Sequence, residues 1–316
     1  MSRRAAVAGL VAAAVPWRAR AQGGYPAQPV RIIVPTGAGA AIDTAARGLA
    51  GLLEKHLGAP FIIENKPGGN STIGVTYVAR SAPDGYTLLY ASQSLTVNPS
   101  LYKLSFDTAT AFAPIATVAN APITLTVPIN SPLTSVRTLI AAAKSRNLTY
   151  GSAGRGSPPY LAAELFAQKA GVTMTHIPYK GAAQALTDLI GERLDLMFPS
   201  LSLAQGFIAA KKLAVLGIAS KERSALAPEI PTVDEMGLPG FAASAWSGIL
   251  APAGTPDEIL EKLENAVRAV LQLDEAKTFL TTQGFDPNFR DRHAFAEFIH
   301  DEMANWPRIL VGIKEN

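Results

Sequence analysis

Two glycine-rich segments carry the residues best suited to chemistry, and the chemistry they suit is anion binding. The first is Pro35-Thr36-Gly37-Ala38-Gly39-Ala40-Ala41-Ile42-Asp43, and the second is Gly151-Ser152-Ala153-Gly154-Arg155-Gly156-Ser157. Glycine lets a backbone approach a ligand closely, and the free N–H groups of a helix that follows such a loop attract negative charge. Neither segment has the Gly-x-Gly-x-x-Gly spacing of a dinucleotide site. The sequence therefore predicts a small anionic ligand, while each segment alone is equally typical of an ordinary turn between strand and helix.

Two aspartates stand where a carboxylate needs hydrogen-bond donors. Asp43 falls in the first turn of the helix after the first segment, where a negative charge complements the helix dipole. That role is sufficient by itself, and the alternative is that Asp43 holds the loop or contacts the ligand through water. Asp195 interrupts the apolar run 194–198 and must find donors there. For Asp195 both a bracing role within the fold and a ligand contact stay open.

No catalytic or metal-binding signature accompanies these segments. The histidines at 56, 176, 293 and 300 are scattered, and the sequence has no HExxH, no Gly-x-Ser-x-Gly and no Walker loop. His293 and His300 are seven residues apart, but no carboxylate stands at metal-ligand spacing beside them. Cysteine is absent, so disulfides, thiolate metal sites and cysteine nucleophiles are excluded. We therefore predict no enzyme, no metal and no cofactor.

The N-terminus is typical of an export signal. Arg3 and Arg4 precede an apolar stretch at 5–15, and Ala19-Arg20-Ala21 has the small-x-small pattern of a cleavage site. We predict that residues 1–21 are removed near Ala21, by either the general or the twin-arginine pathway, and that the mature protein is periplasmic. Without the four arginines of this segment, 24 basic residues face 25 acidic ones. The charge balance therefore gives no indication of a nucleic acid or an anionic membrane as partner.

The elements that must position the two segments alternate between short β-branched runs and helix-period stretches, which is typical of parallel βαβ units. We predict strands at 31–34, 61–63, 87–91, 123–127, 149–151, 176–177, 194–198, 214–218 and 247–250. The predicted helices lie at 41–57, 71–80, 135–145, 160–170, 182–191, 203–210, 257–271, 275–283 and 292–311. Two rounds of alternation, with helical material returning at the end, predict two α/β lobes connected more than once. A ligand is then expected between the lobes, at the carboxyl ends of the strands.

A series of short motifs, in their order and spacing, resembles the substrate-binding proteins of tripartite tricarboxylate transporters, the Bug or TctC family, over nearly all of the mature chain. The motifs are Val34-Pro35 with Gly39 and Asp43, Asn65-Lys66-Pro67-Gly68 with Gly74, Pro83-Asp84-Gly85-Tyr86-Thr87-Leu88, Gly151-Ser152 through Ser157, Pro178-Tyr179-Lys180-Gly181, Pro231-Thr232 with Glu235 and Gly237, and Ala251-Pro252-Ala253-Gly254-Thr255-Pro256.

The resemblance implies a two-lobed, Venus-flytrap periplasmic binding protein of type II, with a Rossmann-like parallel sheet in each lobe. Lobe 1 would comprise 22–125 plus 248–316 and lobe 2 would comprise 126–247, with crossings near 123–128 and 244–252. Such a receptor is expected to be a monomer that binds a small organic carboxylate through backbone amides, hydroxyls and water, and delivers it to the permease subunits of the transporter. A periplasmic sensor that signals to a membrane kinase, and a hydrolase or lyase on the same scaffold, remain as alternatives.

The sequence departs from the family pattern near the predicted pocket. The family usually has an aromatic residue, paired glycines and Thr or Ser before the aspartate, where this chain has Thr36, Gly39-Ala40 and Ile42. A histidine usually follows the second segment, where this chain has Tyr160. Further candidates follow other strands at the same edge. The ligand contacts we predict are Thr36, Gly37, Ala38, Gly39, Ala40, Asp43, Ser92, Gln93, Ser152, Gly154, Gly156, Ser157, Asp195 and Ser200.

Overall fold

A computed structural model describes residues 24–243 and 245–310, and the predicted export segment 1–21 lies outside these ranges. In chain order the elements are β1 (Val30–Val34), α1 (Ala41–Leu57), β2 (Phe61–Asn65), α2 (Thr72–Ala79), β3 (Thr87–Ser92), α3 (Ser94–Leu101), β4 (Phe112–Ala121), β5 (Thr124–Pro128), α4 (Val136–Ser145), β6 (Leu148–Ser152), α5 (Pro158–Ala170), β7 (Met174–Pro178), α6 (Ala182–Ile190), β8 (Leu196–Met197), α7 (Leu201–Ala209), β9 (Leu213–Ile218), β10 (Ala245–Pro252), α8 (Asp257–Gln272), α9 (Asp274–Thr282), β11 (Asp286–Pro287) and α10 (Arg292–Ile309).

The first sheet has six strands in the order β11-β4-β10-β3-β1-β2. Strand β1 lies parallel to β2 and β3, whereas β10 runs antiparallel to both β3 and β4. The central strands read as nearly continuous apolar runs because helices cover both faces of the sheet. Helices α1, α8 and α9 pack on one face, and α2, α3 and α10 pack on the other.

The second sheet has five strands in the order β7-β6-β8-β5-β9. Strand β6 lies parallel to β7 and β8, and β5 runs antiparallel to β8 and β9. Both sheets are therefore mixed, with a parallel part built from βα units and an antiparallel part built from the strands next to the crossings. Each sheet contains the parallel βα units that the family resemblance implies. Each also has an antiparallel part, because β5 and β10 enter their sheets directly after the chain has passed from one sheet to the other.

The chain joins the two sheets in more than one place. It leaves the first sheet after β4 and enters the second with β5, and it returns at the start of β10. Helix α10 also spans the two halves: Phe295 and Ile299 lie in a core cluster of the first sheet, while Trp306 and Leu310 pack into the core of the second. Within the described ranges, no helix is long and apolar enough to cross a membrane.

Three elements were not expected from the sequence: the two-residue strand β11 and two longer elements. Residues 112–121 form the ten-residue strand β4, and residues 94–101 form α3, in a region that the sequence presents as irregular and rich in Asn, Ser and Pro. Pro114 is accommodated where the register between β4 and β10 shifts, and Pro99 lies late in α3. Tertiary pairing with β10 and packing beside β3 therefore outweigh the poor local propensities.

Candidate functional site

A cavity of about 410 Å³ lies between the two sheets, at the carboxyl ends of their parallel strands. Residues from both halves of the chain line it, so a ligand held there would contact both. The lining residues are Ala41, Ile42, Asn70, Ser71, Ser92, Gln93, Ser94, Ala121, Ile123, Ala153, Gly156, Ser157, Pro158, Pro159, Ala182, Phe198, Ser200, Leu203, Ala245, Trp246 and Phe285.

Six helices begin at this cavity. Each follows a parallel strand, and the geometry of a βα unit places the start of the helix at the carboxyl end of the strand before it. The residues that line the cavity at these helix starts are Ala41 of α1, Ser71 before α2, Ser94 of α3, Pro158 of α5, Ala182 of α6 and Ser200 before α7. A helix N-terminus carries about half a positive charge. Their convergence creates a positive potential in the cavity.

No charged side chain of the described residues lines the cavity. An anion bound there would be held by amides, hydroxyls and helix dipoles, because no arginine, lysine or histidine is within the lining. Polar lining groups are supplied by Asn70, Ser71, Ser92, Gln93, Ser94, Ser157 and Ser200. This composition matches the amide-and-hydroxyl mode of binding that the family resemblance implies.

Gln93 is the polar side chain with the clearest unmet hydrogen-bonding capacity at the cavity. The residue is only 3% exposed, and its Oε1 atom has no hydrogen-bond partner among the described residues. A buried amide oxygen without a partner costs about 1–3 kcal/mol. A ligand group that donates to Gln93 Oε1 would remove this cost, and a ligand carboxylate could accept from the side-chain nitrogen of Gln93.

Asp43 stabilises the first glycine-rich loop through hydrogen bonds and does not line the cavity. Its Oδ2 atom accepts from the Gly39 amide at 2.9 Å and from Arg47 Nε at 2.9 Å, and its Oδ1 atom accepts from Asn65 Nδ2 at 2.7 Å. Burial acts to raise the pKa of Asp43, but the donors from Arg47, Gly39 and Asn65 outweigh it and lower the pKa. The loop-holding role of Asp43, one of the two readings of the sequence, is the one with contacts in the structure.

The first loop reaches the cavity only at its end. Residues Thr36, Gly37, Ala38, Gly39 and Ala40 do not line the cavity, whereas Ala41 and Ile42 at the start of α1 do. The first four N–H groups of an α-helix have no intrahelical partner. The structure therefore brings the anion-attracting start of α1 to the cavity and keeps the preceding glycines at the surface.

The second loop approaches the other half of the molecule at Gly156. This residue has φ +78°, and a Cβ atom placed on it would lie 3.0 Å from Leu101 Cδ1 and 3.3 Å from Asn70 Nδ2. Ser157 Oγ donates to the Gly154 carbonyl at 2.6 Å and closes the turn. Helix α5 begins with Pro158 and Pro159, which have no N–H, so fewer backbone donors are available there than at α1.

Ser152 forms a serine–histidine pair, but the pair faces the interior. Ser152 Oγ is 2.7 Å from His176 Nε2 and accepts from the Gly154 amide at 3.0 Å, and the His176 ring stacks on Tyr150. Ser152 is fully buried and does not line the cavity. Burial and the nearby Arg155 lower the pKa of His176. The pair supports the turn of the second loop rather than presenting a nucleophile to the cavity.

Asp195 lies outside the cavity lining. Its Oδ1 atom accepts from Arg146 at 2.7 Å, and its Oδ2 atom accepts from the Thr149 amide at 2.7 Å and from the Thr149 hydroxyl at 3.0 Å. Although burial alone would raise the pKa of Asp195, these donors lower it. The contacts join the start of β8 to β6 and favour the bracing role over a ligand contact.

Five of the predicted ligand contacts line the cavity, and nine do not. The five are Ser92, Gln93, Gly156, Ser157 and Ser200; the nine are Thr36, Gly37, Ala38, Gly39, Ala40, Asp43, Ser152, Gly154 and Asp195. Asn70 and Ser71 were missed, although they stand between β2 and α2 and the same strand-end rule would have found them. Phe285 carries no such signal, because it lies in a turn after α9 that approaches the cavity only through tertiary packing.

A larger cavity of about 980 Å³ lies beside β2 and α2, on one half of the molecule only. Two of its cations are already engaged: Lys66 is 2.6 Å and Arg31 is 3.7 Å from Glu64. It gathers neither several helix starts nor residues of both sheets. The smaller cavity between the sheets is therefore the better candidate site.

Comparisons with known proteins agree with this geometry. The model of a family described as "Tripartite tricarboxylate transporter family receptor" matches residues 45–314. BugT of Bordetella pertussis is 33% identical over 295 residues, which cover 90% of this chain and 89% of BugT.

Solved structures give the same result. The crystal structure of a TctC solute-binding protein from Polaromonas, without ligand, has a TM-score of 0.84 and 29% identity, covering 91% of this chain and 99% of that one. An R. palustris protein solved with adipate has a TM-score of 0.75 and 32% identity, covering 91% of this chain and 97% of that one. The two-lobed α/β architecture predicted from the sequence is thereby confirmed.

Proposed function

The chain belongs to the receptor family of the tripartite tricarboxylate transporters, and from that premise we propose that it captures a small organic carboxylate and delivers it to the membrane subunits of such a transporter. Proteins of this family are periplasmic solute-binding receptors. The proposal includes export through residues 1–21, action as a monomer in the periplasm and no catalysis.

The observation that carries the proposal is the convergence of six helix starts on one cavity that has no charged lining residue among the described residues. Each helix start stabilises an anion by about 0.3–1 kcal/mol. Each hydrogen bond to the charged ligand adds about 1.5–3 kcal/mol. Micromolar binding needs about 8 kcal/mol, so several starts and two or three such bonds are sufficient.

Closure of the two lobes on the ligand is the expected response. We propose lobes at 22–125 plus 248–316 and at 126–247, a division supported by the sheet membership of the strands, since β5 starts at Thr124 and β10 at Ala245. Contacts between the halves include Gly156 beside Asn70, Ser202 beside Gly284, and a hydrogen bond of 2.6 Å from Ser224 to Asp286. A ligand that touches both halves favours the state in which these contacts form.

The proposal is tested by thermal shift and calorimetry on the mature chain, residues 22–316, against a panel of organic acids and matched neutral amides. An acid at 100 times its dissociation constant adds about 2.7 kcal/mol to the free energy of unfolding, which raises the Tm of a chain of this length by about 4 °C. Absence of stabilisation by every acid, or equal stabilisation by the neutral amides, would contradict carboxylate binding.

Gln93→Leu tests the site itself, because leucine is close to glutamine in size and lacks the oxygen and the nitrogen of the side-chain amide. We expect affinity for the acid to fall about tenfold, which is the loss of one hydrogen bond to a charged group. Gln272→Leu, on the exposed surface of α8, is the matched control and should bind as the parent does. Equal affinities in both variants would exclude Gln93 from the site.

Delivery to a transporter needs a separate test, since a receptor that signals to a membrane kinase would bind its ligand equally well. Co-purification of the ligand-loaded protein with permease subunits, and uptake of the labelled acid by cells, support transport. Co-purification with a sensor kinase without uptake would replace the transport proposal by the sensing one.

A further inference from the structure

We propose that the cavity selects an acid with a single carboxylate and a hydrocarbon body over dicarboxylates and hydroxy acids. This inference rests on the proposed function, because it takes the ligand to be a carboxylate. It follows from how polar and apolar groups are divided between the two sides of the cavity.

The polar side is formed by the starts of α2 and α3. Asn70 Nδ2 donates to Asn98 Oδ1 at 2.9 Å, and Asn98 Nδ2 donates to the Asn70 carbonyl at 2.7 Å, which ties the start of α2 to α3. Gln93 stands at the start of α3, and Gly156 of the other half approaches Asn70 from across the cavity. The hydroxyl and amide groups on this side belong to Asn70, Ser71, Ser92, Gln93, Ser94 and Ser157.

The apolar side is formed where α1, α7 and the turn after α9 meet. Helix α1 packs against α9, with Gly48 directly against the Phe279 ring, and Phe285 follows α9 in the chain. Gly284 abuts Ser202 of α7, which brings Phe285 beside the first turn of α7. The large apolar residues that this side contributes to the cavity lining are Ile42, Ile123, Leu203 and Phe285.

Among the described residues that line the cavity, the apolar side has one polar side chain, Ser200. The Ser200 hydroxyl lies 3.2 Å from the Ser202 hydroxyl, and Ser200 bridges to Ile123 through the backbone. Among the first amides of α7, Leu201 N donates to the Pro122 carbonyl at 2.8 Å and Leu203 N donates to the Ser200 carbonyl at 3.1 Å. A second carboxylate placed against Ile42, Leu203 and Phe285 would lose water at a surface whose donors are limited to Ser200 and the first amides of α1, whereas a hydrocarbon group would lose water favourably.

The sharpest test compares hexanoate with adipate, since the two have the same six-carbon chain and differ only in whether a methyl or a second carboxylate ends it. Calorimetry on the mature chain should find hexanoate at least tenfold tighter than adipate and than malate. Butanoate should bind about fifteenfold more weakly than hexanoate, because it lacks two methylene groups that each contribute about fourfold when buried.

Ile42→Thr places a hydroxyl on the apolar side and shortens the side chain by one carbon. We expect this variant to lose about tenfold in hexanoate affinity and to change adipate affinity less than threefold. Leu203→Thr should also weaken hexanoate binding more than adipate binding. It replaces Ile42→Thr as the test if Ile42→Thr disturbs the first loop. Ile62→Thr is the control: Ile62 is 50% exposed on the edge strand β2, outside the cavity, and its variant should keep the parental preference.

The outcomes separate this inference from the proposed function. A preference for hexanoate that Ile42→Thr reduces supports it. Tighter binding of adipate or malate than of hexanoate overturns it and leaves carboxylate capture intact. Binding of no acid at all overturns the proposed function and this inference together.

Discussion

Replacing Gly156 by alanine tests whether the second loop closes against the other half of the protein. An alanine Cβ at this position would stand 3.0 Å from Leu101 Cδ1 and 3.3 Å from Asn70 Nδ2, both of which belong to the other half of the chain. These separations are tighter than most contacts of a Cβ atom, so Leu101 and Asn70 must move by a few tenths of an ångström or the halves must stay slightly apart. Either response weakens the closed, ligand-binding state.

Gly154→Ala provides the matched control for Gly156→Ala. Gly154 lies two residues earlier in the same loop, also has a positive φ (+102°), and has open space around its Cβ position. Both substitutions strain the backbone, which should lower the free energy of unfolding by about 1–2 kcal/mol. Only Gly156→Ala also meets the other half of the molecule. Its additional cost of about 1 kcal/mol in the closed state should appear as a fivefold loss of ligand affinity.

Urea unfolding without ligand measures the strain, and calorimetry with the tightest-binding acid of the panel measures the affinity. Small-angle scattering with and without that acid adds a direct measure of closure. Equal losses of affinity in the two variants would refute closure of the second loop against the other half at Gly156, since the loss would then come from loop strain alone. The same claim is refuted if Gly156→Ala shows the parental change in scattering and the parental ligand affinity.

Three further predictions concern buried carboxylates. Asp43→Asn should lower the free energy of unfolding by about 1–3 kcal/mol at pH 7. Because the folded-state pKa of Asp43 is lowered, its contribution to stability is complete above its ordinary pKa of 3.8 and is lost as the pH falls below that value. In urea unfolding, the free energy of unfolding should therefore differ less between pH 7 and pH 3 in the variant than in the parent. Asp195→Asn should destabilise by about 1 kcal/mol, discounted for the half-exposed Arg146, and leave ligand affinity unchanged by calorimetry; a tenfold affinity loss would restore Asp195 to the site. Glu302 accepts from Thr96 at 2.8 Å and from Trp246 at 2.9 Å, and burial raises its pKa above 4.5. The free energy of unfolding should therefore fall as the pH rises from 4.5 through the raised folded-state pKa of Glu302. Glu302→Gln should flatten this pH dependence, and an unchanged pH profile in the variant would show that Glu302 is not its source.

The parts of the fold that local chemistry determines were predictable from the sequence. The run Val30–Val34, followed by a turn with Pro35 and Gly37, predicts a buried strand and the helix after it, and the structure has both. β4 was not predictable in this way, because Pro114 and Asn120 weaken its local signal and its stability comes from pairing with β10, more than a hundred residues away in the chain. Likewise, the segment 220–240 reads as a surface connection, yet Val233 and Leu238 are buried in the second core.

The candidate site likewise contains residues that the sequence predicts and residues that only tertiary packing places there. The rule that ligands meet the carboxyl ends of parallel strands found Gln93, Ser157 and Ser200 without any contact information. It also included Asp43, whose hydrogen bonds turn inward to the loop, because side-chain direction does not follow from spacing. Phe285 could not be found, since its place at the cavity depends on how α9 packs against α1.

A crystal structure of the mature chain with hexanoate tests the central claim most directly. The account predicts the carboxylate within hydrogen-bond distance of Gln93 and of amides or hydroxyls at the helix starts, and the hydrocarbon chain against Ile42, Leu203 and Phe285, with both sheets in contact with the ligand. Hexanoate bound outside this cavity, or held by a charged side chain instead of these amides and hydroxyls, would contradict it.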